Sequence, residues 1–136
     1  MVNLKIEEIE GIGPVVGEKF RGAGVEDTDG LLEKGRTAAG RKALAEATGI
    51  SASRVLTYVN MADLFRIKGV AGEYAELLHA AGVDTVKELK TRNGENLAAR
   101  LADVNAEKKL TRKVPTQAAV EDWIKQAAAL PAKVEY

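Results

Sequence analysis

The sequence predicts an all-α protein, in which two tandem units of related sequence pack as one compact helical body. Aromatic residues make up 4% of the 136 residues, whereas alanine and leucine are abundant, and this composition favours closely packed helices. A second observation is that a sequence pattern in the first half recurs in the second half. In addition, no segment shows the alternation of apolar and polar residues that is typical of a strand.

The repeat is clearest around two glycine-rich segments. Residues 9–25 read IEGIGPVVGEKFRGAGV, and residues 67–83 read IKGVAGEYAELLHAAGV. Aligned without a gap, both begin with Ile-x-Gly and end with Ala-Gly-Val. The apolar positions between these ends recur at the four- and three-residue spacing of one helix face. The duplication divides the chain into two units, residues 1–60 and residues 61–136.

Several residues predict where helices begin and end. Thr85 opens a capping box, T-V-K-E, and therefore begins a short helix. Gly24 and Gly82 stand just past amphipathic turns, where a left-handed glycine commonly closes a helix. A helix that begins after Ser51 should run into the second glycine-rich segment, because its apolar content is too high for an exposed linker. Asn105 is one of the expected cap residues in the C-terminal half.

Large apolar side chains mark the expected core. Phe20 and Leu78 occupy equivalent positions in the two glycine-rich segments, and a later pair of matching segments aligns Tyr58 with Trp123. All four lie on amphipathic helices, and aromatic side chains there most often anchor a core. We therefore expect Phe20, Leu78 and Trp123 to be largely buried.

The glycine-rich segments also carry a resemblance. The order apolar-x-Gly-apolar-Gly, then a helix, then Gly-Val resembles a helix-hairpin-helix motif, with Ala71 replacing the second glycine of the second copy. Together with GRKALAEATGIS, VNMADLFRIKGV, YAELLHAAGVDTVKEL and VEDWIKQA, it makes the chain resemble an uncharacterised bacterial family of duplicated helix-hairpin-helix proteins, a domain of unknown function. The resemblance implies two helix-hairpin-helix-type units, and it implies no established activity.

A glycine hairpin of this kind can contact a phosphate group. Glycine allows the tight turn, and the following helix begins with unpaired N–H groups at the positive end of its dipole. The resemblance implies that such hairpins bind a nucleic-acid backbone without reading its sequence. The residues concerned are Gly11, Ile12 and Gly13 in the first copy, and Gly69, Val70 and Ala71 in the second. The alternative is a tight turn that joins two packed helices and binds no phosphate.

Basic residues supply the other candidate contacts. Lys19 and Arg21 follow the first hairpin closely enough in sequence to assist it. The densest basic segment of the chain contains Lys108, Lys109, Arg112 and Lys113. Several cations on neighbouring helical turns could neutralise backbone phosphates, and a second basic cluster is present at residues 36–42. Solvated helix faces are the alternative explanation for either cluster.

Two functions stay open, because the charge of the chain mildly opposes nucleic-acid binding. Lys+Arg and Asp+Glu both number 20, so the net charge is zero, whereas nucleic-acid-binding proteins usually carry a basic excess. Pro14 and Val15 follow the first hairpin where DNA-binding versions commonly have a cation, and Glu73 would repel a phosphate at the second. The hairpin motif slightly favours sequence-independent binding of a DNA or RNA backbone. The alternative is a protein-interaction or assembly module with a protein partner.

The sequence indicates a non-enzymatic protein. It has no cysteine, so it offers no thiolate nucleophile or cysteine-ligated metal, and a reducing compartment fits. His79, the single histidine, has no partner at catalytic or metal-ligand spacing, and no phosphate loop or serine elbow is present. We therefore expect no metal, no cofactor and no small-molecule substrate. The lack of a signal peptide and of a membrane-spanning apolar run predicts a cytoplasmic location without membrane contact.

Overall fold

A computed structural model describes residues 3–136, so residues 1 and 2 of the first predicted unit lie outside the described range. Within that range the regular structure is helical, apart from one isolated bridge between Lys5 and Asp27. A turn of 3-10 helix, Ile6–Glu8, precedes the α-helices α1 (Pro14–Gly22), α2 (Thr28–Gly35), α3 (Ala38–Thr48), α4 (Ala52–Leu64), α5 (Gly72–Ala80), α6 (Val86–Leu89), α7 (Gly94–Lys108) and α8 (Gln117–Ala129). The all-α prediction is therefore confirmed. No helix within residues 3–136 is long and apolar enough to cross a membrane.

Most helices begin at a side chain that accepts a hydrogen bond from the backbone three residues further on, which is the arrangement of an N-cap. The residues that do so are Asp27, Thr37, Ser51, Thr85, Asn93 and Thr116. Thr85 thus begins α6 as its capping box predicts. The two exceptions are α1 and α5, whose N-cap residues are Gly13 and Ala71 and which have no side-chain cap. These are the helices that follow the two glycine-rich turns.

The backbone adopts the same conformations in both copies of the repeat. Gly11 and Gly69 have φ angles of +91° and +96°, in the left-handed region that glycine adopts without strain. Gly24 and Gly82, at +87° and +91°, follow the ends of α1 and α5. The residue after each donates its N–H to the carbonyl five residues back, at 2.9 Å in both copies, which is the hydrogen bond of a Schellman motif. The prediction that Gly24 and Gly82 close these helices is confirmed.

The core surrounds α4, which packs against α2, α3 and α5. Residues 58–67 are all buried, and α4 ends at Leu64, shortly before the second glycine-rich turn, as its apolar content predicts. The division between residues 60 and 61 therefore falls inside a helix. Phe20 and Leu78 are fully buried and Trp123 is 4% exposed, which confirms the predicted core.

Asn105 is not a helix cap, contrary to expectation. It lies inside α7 and is buried, and its side chain faces the loop that follows the helix. Its Nδ2 atom donates to the Thr111 carbonyl at 3.0 Å, and its Oδ1 atom accepts the Thr111 N–H at 2.9 Å. A side-chain amide can satisfy both polar groups of one residue in this way, so Asn105 fixes the loop instead of beginning a helix.

Two buried arginines hold the C-terminal segment on the body of the protein. Arg41 donates through Nη2 to the Glu135 carbonyl at 2.6 Å, and Arg66 donates through Nη2 to the Pro131 carbonyl at 2.6 Å. Arg36 lies 3.8 Å from the Glu135 carboxylate. Arg41 of the basic cluster at residues 36–42 thus supports the fold and is buried, whereas Arg36 is partly exposed.

Candidate nucleic-acid interface

The first hairpin offers fewer backbone donors than its sequence suggests. The Ile12 N–H donates to the Ile9 carbonyl at 3.0 Å, and the Ile12 side chain is buried, so this residue serves the turn itself. Pro14 has no N–H group. In the described part of the chain, the Gly13 N–H has no protein acceptor, and no side chain caps the first turn of α1. Gly13 is exposed, and a Cβ atom there would meet nothing within 4 Å.

The structure does not bring Lys19 and Arg21 to this hairpin. Both lie in the last turn of α1, whereas the hairpin precedes its first turn. Arg21 is also paired, because its Nη1 atom lies 2.7 Å from Oε2 of Glu7. This hydrogen bond lowers the pKa of Glu7 and raises that of Arg21. Lys19 is exposed in the same last turn of the helix.

Arg54, which the sequence analysis did not single out, is the cation that reaches the first hairpin. Its Nη2 atom donates to the Tyr58 hydroxyl at 2.7 Å, and this hydroxyl donates to the Gly11 carbonyl at 3.2 Å. The guanidinium also lies over the Tyr58 ring, 5.7 Å from its centroid. Arg54 precedes Tyr58 by one helical turn of α4, so its link to the hairpin depends on tertiary packing.

The second hairpin borders an acidic groove of about 460 Å³. Its walls include Gly69, Ala71 and Gly72 and three acidic residues from the start of the chain, Glu7, Glu8 and Glu10, of which Glu7 is paired with Arg21. Glu73, which the sequence analysis expected to repel a phosphate at the second hairpin, also lines the groove. Nearby, burial raises the pKa of Glu76, and the charge of Glu10 adds to this effect. Carboxylates thus occupy the space in front of the α5 N-terminus, where a phosphate would be repelled.

The basic segment of residues 108–113, which we call the basic loop, is exposed and fixed in place. Lys109 leaves α7 in the left-handed conformation, with φ of +53°, and its N–H donates to the Asn105 carbonyl at 2.8 Å. The Lys113 carbonyl accepts hydrogen bonds from Thr111 Oγ1 at 2.9 Å and from the Tyr74 hydroxyl at 3.1 Å. These bonds, with those from Asn105 to Thr111, hold the loop at both ends.

The four cations of the basic loop are not neutralised by protein carboxylates. Within residues 3–136, no ion pair involves any of them, and all four are exposed. They are Lys108, Lys109, Arg112 and Lys113. Four unpaired positive charges within six residues form a local basic surface on a chain whose net charge is zero.

The basic loop lies beside the second hairpin. Lys113 lines a cavity of about 220 Å³ together with Gly69, Tyr74, Thr116, Ala119 and Trp123. The sequence suggested that this patch would serve the first hairpin, whereas its last residue borders the second. The sequence analysis assigned Trp123 to the core alone and therefore missed it as part of this cavity wall.

Within residues 3–136, no group of three or more His, Asp or Glu side chains is arranged to hold a metal ion. The model of a protein family described as a domain of unknown function, DUF4332, matches residues 10–130. The chain belongs to this family. The match includes both hairpins and the basic loop, so every part of the candidate interface lies within the family domain. Neither the curated proteins nor the solved structures gave a match.

Proposed function

We propose that this protein is a non-enzymatic binding protein that contacts a nucleic-acid backbone, of DNA or RNA, without sequence specificity. In this proposal, residues 1–60 and 61–136 are tandem helix-hairpin-helix units, and the basic loop makes the main contact. The observation that carries the proposal is that the basic loop presents four unpaired cations on a rigid, exposed segment.

Rigidity and free charge both favour phosphate binding. Each cation that neutralises a backbone phosphate releases a condensed counterion, and this release drives association. A loop that is already held by Asn105 and Tyr74 loses little further conformational freedom when it binds. Because charges attract any phosphate, such a contact carries no sequence information.

The first hairpin is the second contact in this proposal. The Gly13 N–H and the uncapped first turn of α1 are free to donate to a phosphate oxygen, and the dipole of α1 favours a negative charge there. Arg54 adds a positive charge beside Gly11. In this proposal the acidic groove keeps a phosphate away from the equivalent amides of α5. The two hairpins therefore contribute unequally to binding.

A salt titration with matched charge variants tests the basic loop. Replacing Lys108, Lys109, Arg112 and Lys113 together with Ala should flatten the plot of log affinity against log salt for duplex DNA. If each cation neutralises one phosphate, the slope of the variant is shallower by about 3.6. Between 50 and 200 mM salt, the wild type should then lose about 150-fold more affinity than the variant. Fluorescence anisotropy with random duplex and single-stranded DNA and RNA measures the affinity.

The control removes the same charge from other exposed positions of the chain. The residues are Lys42, Lys87, Lys90 and Lys125, which have no ion pair within residues 3–136. Replacing all four with Ala should leave most of the salt slope in place. Equal losses in both quadruple variants would mean that net charge, and not the basic loop, governs binding.

Gly13→Glu tests the first hairpin separately. A side chain fits at residue 13 because a Cβ atom there meets nothing within 4 Å, and the new carboxylate would stand where the free amide faces the phosphate. Gly22→Glu is the matched control, since a Cβ atom at residue 22 also meets nothing within 4 Å. We expect Gly13→Glu to weaken binding and Gly22→Glu to leave it nearly unchanged.

A protein-interaction module is the second candidate function. Val15 is 70% exposed beside the free amide of Gly13, and an exposed apolar side chain at that position suits a protein surface better than a phosphate. The acidic groove points in the same direction. Absence of any nucleic-acid binding at about 100 μM protein and low salt, near the weak end of non-specific binding, would favour this candidate over the first.

A further inference from the structure

The cavity beside the second hairpin contains an unpaired donor on a buried side chain. Trp123 is 4% exposed, and its indole N–H donates to no protein acceptor within residues 3–136. In that range, the side-chain nitrogens that have no hydrogen-bond partner and no contact with solvent are the Nε atoms of Arg36 and Arg66, and Trp123 Nε1 is not among them. The Trp123 Nε1 atom is therefore open to the cavity that its side chain lines.

The first half of the molecule fills the corresponding space. Tyr58, which aligns with Trp123, donates its hydroxyl to the Gly11 carbonyl, and Arg54 covers it one helical turn earlier. In the second half, the residue one helical turn before Trp123 is Ala119, whose small side chain leaves the cavity open.

Gly69 keeps the indole N–H accessible. Its φ of +96° favours glycine, and a Cβ atom at this position would stand 3.1 Å from Nε1 of Trp123. Any larger side chain would therefore crowd the N–H group. The glycine that makes the turn also leaves the donor uncovered.

Three side chains of the cavity have a hydrogen-bond donor left, whereas the Tyr74 hydroxyl has only acceptor capacity left. The Trp123 indole can only donate, as can the Lys113 ammonium. The Thr116 oxygen accepts the Ala119 N–H at 3.1 Å, which leaves its proton free to donate. The Tyr74 hydroxyl donates to the Lys113 carbonyl. No acidic residue lines the cavity, so its chemistry suits an anion.

The helix dipole strengthens this preference. Thr116 is the N-cap of α8, a helix of 13 residues, and Ala119 lies in its first turn. Both residues line the cavity, so the positive end of the α8 dipole lies at its wall. The acidic groove at the α5 N-terminus adjoins this cavity, because Gly69 and Tyr74 line both, but its carboxylate residues do not line the cavity.

The geometry points to a phosphate-binding site in this cavity, in which the Trp123 indole N–H, the Thr116 hydroxyl and the Lys113 ammonium donate to phosphate oxygens. The inference rests on the proposed function to the extent that the phosphate belongs to a nucleic-acid strand. A free phosphate ion offers the same oxygens, so the two sources are tested separately.

Because the chain has one tryptophan, its indole N–H gives a single resonance in a ¹H–¹⁵N spectrum. The uniformly labelled full chain is titrated with sodium phosphate and, in parallel, with sodium chloride at equal ionic strength. We expect a saturable shift of the indole resonance with phosphate and none with chloride. Equal shifts with both salts, or no saturable shift up to about 50 mM phosphate, beyond millimolar affinity, would overturn the site.

Variants establish where the phosphate binds. Ala119→Met fills the cavity without adding charge and should abolish the shift, whereas Ala118→Met, at the exposed neighbouring position, should keep it. Lys113→Ala should weaken phosphate binding about tenfold, the effect of losing one charge-assisted hydrogen bond, and Lys42→Ala should not. Retention of wild-type affinity in both cavity variants would contradict the assignment.

A short single-stranded DNA, added to the same labelled protein, separates this inference from the proposed function. Binding of the strand that moves the indole resonance supports both. Binding that leaves the resonance in place removes the phosphate site and leaves the proposed function. A phosphate-dependent shift without binding of any nucleic acid keeps the site and removes the proposed function.

Discussion

The ion pair between Asp63 and Arg66 is the most stringent test of how α4 is joined to α6. Both side chains are 2% exposed, and Nη1 of Arg66 lies 2.8 Å from Oδ1 of Asp63. The other carboxylate oxygen accepts the N–H of Val86, the first residue of α6, at 2.8 Å. Asp63 therefore neutralises a buried charge and also fixes the start of a helix from the second half.

Asp63→Ala should destabilise the protein severely. It leaves the guanidinium of Arg66 buried without its counter-charge, which costs about 3–5 kcal/mol when one partner of a buried pair is removed. It also leaves the Val86 N–H without an acceptor, which costs about 1–3 kcal/mol. Because the two effects overlap, we expect a loss of about 3–6 kcal/mol, a large fraction of the stability of a small domain.

Urea unfolding followed by circular dichroism measures this loss. Replacing both partners, as Asp63→Leu with Arg66→Met, should cost less than Asp63→Ala alone, because no unpaired charge remains buried. Glu33→Ala is the control, since its partner Lys133 lies 3.6 Å away on the surface and exposed pairs contribute about 0–1 kcal/mol. If Asp63→Ala costs no more than Glu33→Ala, the burial and pairing described here are wrong.

Two further predictions concern the core and the acidic groove. Leu78→Ala should cost about 2–5 kcal/mol in the same urea assay, because its side chain is fully buried, and an almost unchanged midpoint would mean that the face of α5 is misassigned. Glu76→Gln should stabilise the protein at pH 7 by about 0.2–0.5 kcal/mol, since it removes like-charge repulsion by Glu73 and Glu10. Burial raises the pKa of Glu76 above its usual value of 4.5, so the folded protein binds this proton more tightly than the unfolded chain does. The ionisation of Glu76 therefore lowers stability as the pH rises from 4.5 through the raised pKa. The gain from Glu76→Gln should therefore vanish below pH 4.5, and a gain that is independent of pH would contradict this explanation.

The elements that depend on local sequence could be predicted. The start of α6 at Thr85 follows from capping, and the closing turns at Gly24 and Gly82 follow from the need for a left-handed residue. Burial of Phe20 and Leu78 follows from helical periodicity. In each case the residues that determine the feature lie within one or two helical turns of each other, so the sequence alone contains the information.

The candidate interface depends on contacts between distant segments, and it could be predicted only in part. The sequence identifies the cations of the basic loop, but Lys113 and Gly69 line one cavity only because the chain folds back on itself after α7. Arg54 lies outside both hairpin motifs, and its role requires Tyr58 to fold over Gly11. The pairing of Arg21 with Glu7 likewise joins residues that no helical spacing relates.

The two glycine-rich turns have the same backbone conformation, but the charged residues around them differ. The glycines with positive φ at the two turns fix the conformation of each hairpin, but the charges around it come from other elements. At the first hairpin, the Tyr58 hydroxyl donates to the Gly11 carbonyl and accepts from Arg54, and the amide of Gly13 is left free. At the second, acidic residues from the start of the chain line a groove at the α5 N-terminus, while Lys113 and the α8 N-terminus line the adjoining cavity. The turn of the first copy therefore leaves an amide free, whereas the turn of the second copy borders a cavity with unpaired donors. A chain of zero net charge thus carries local sites of positive character, and these are the two contacts that the proposed function requires.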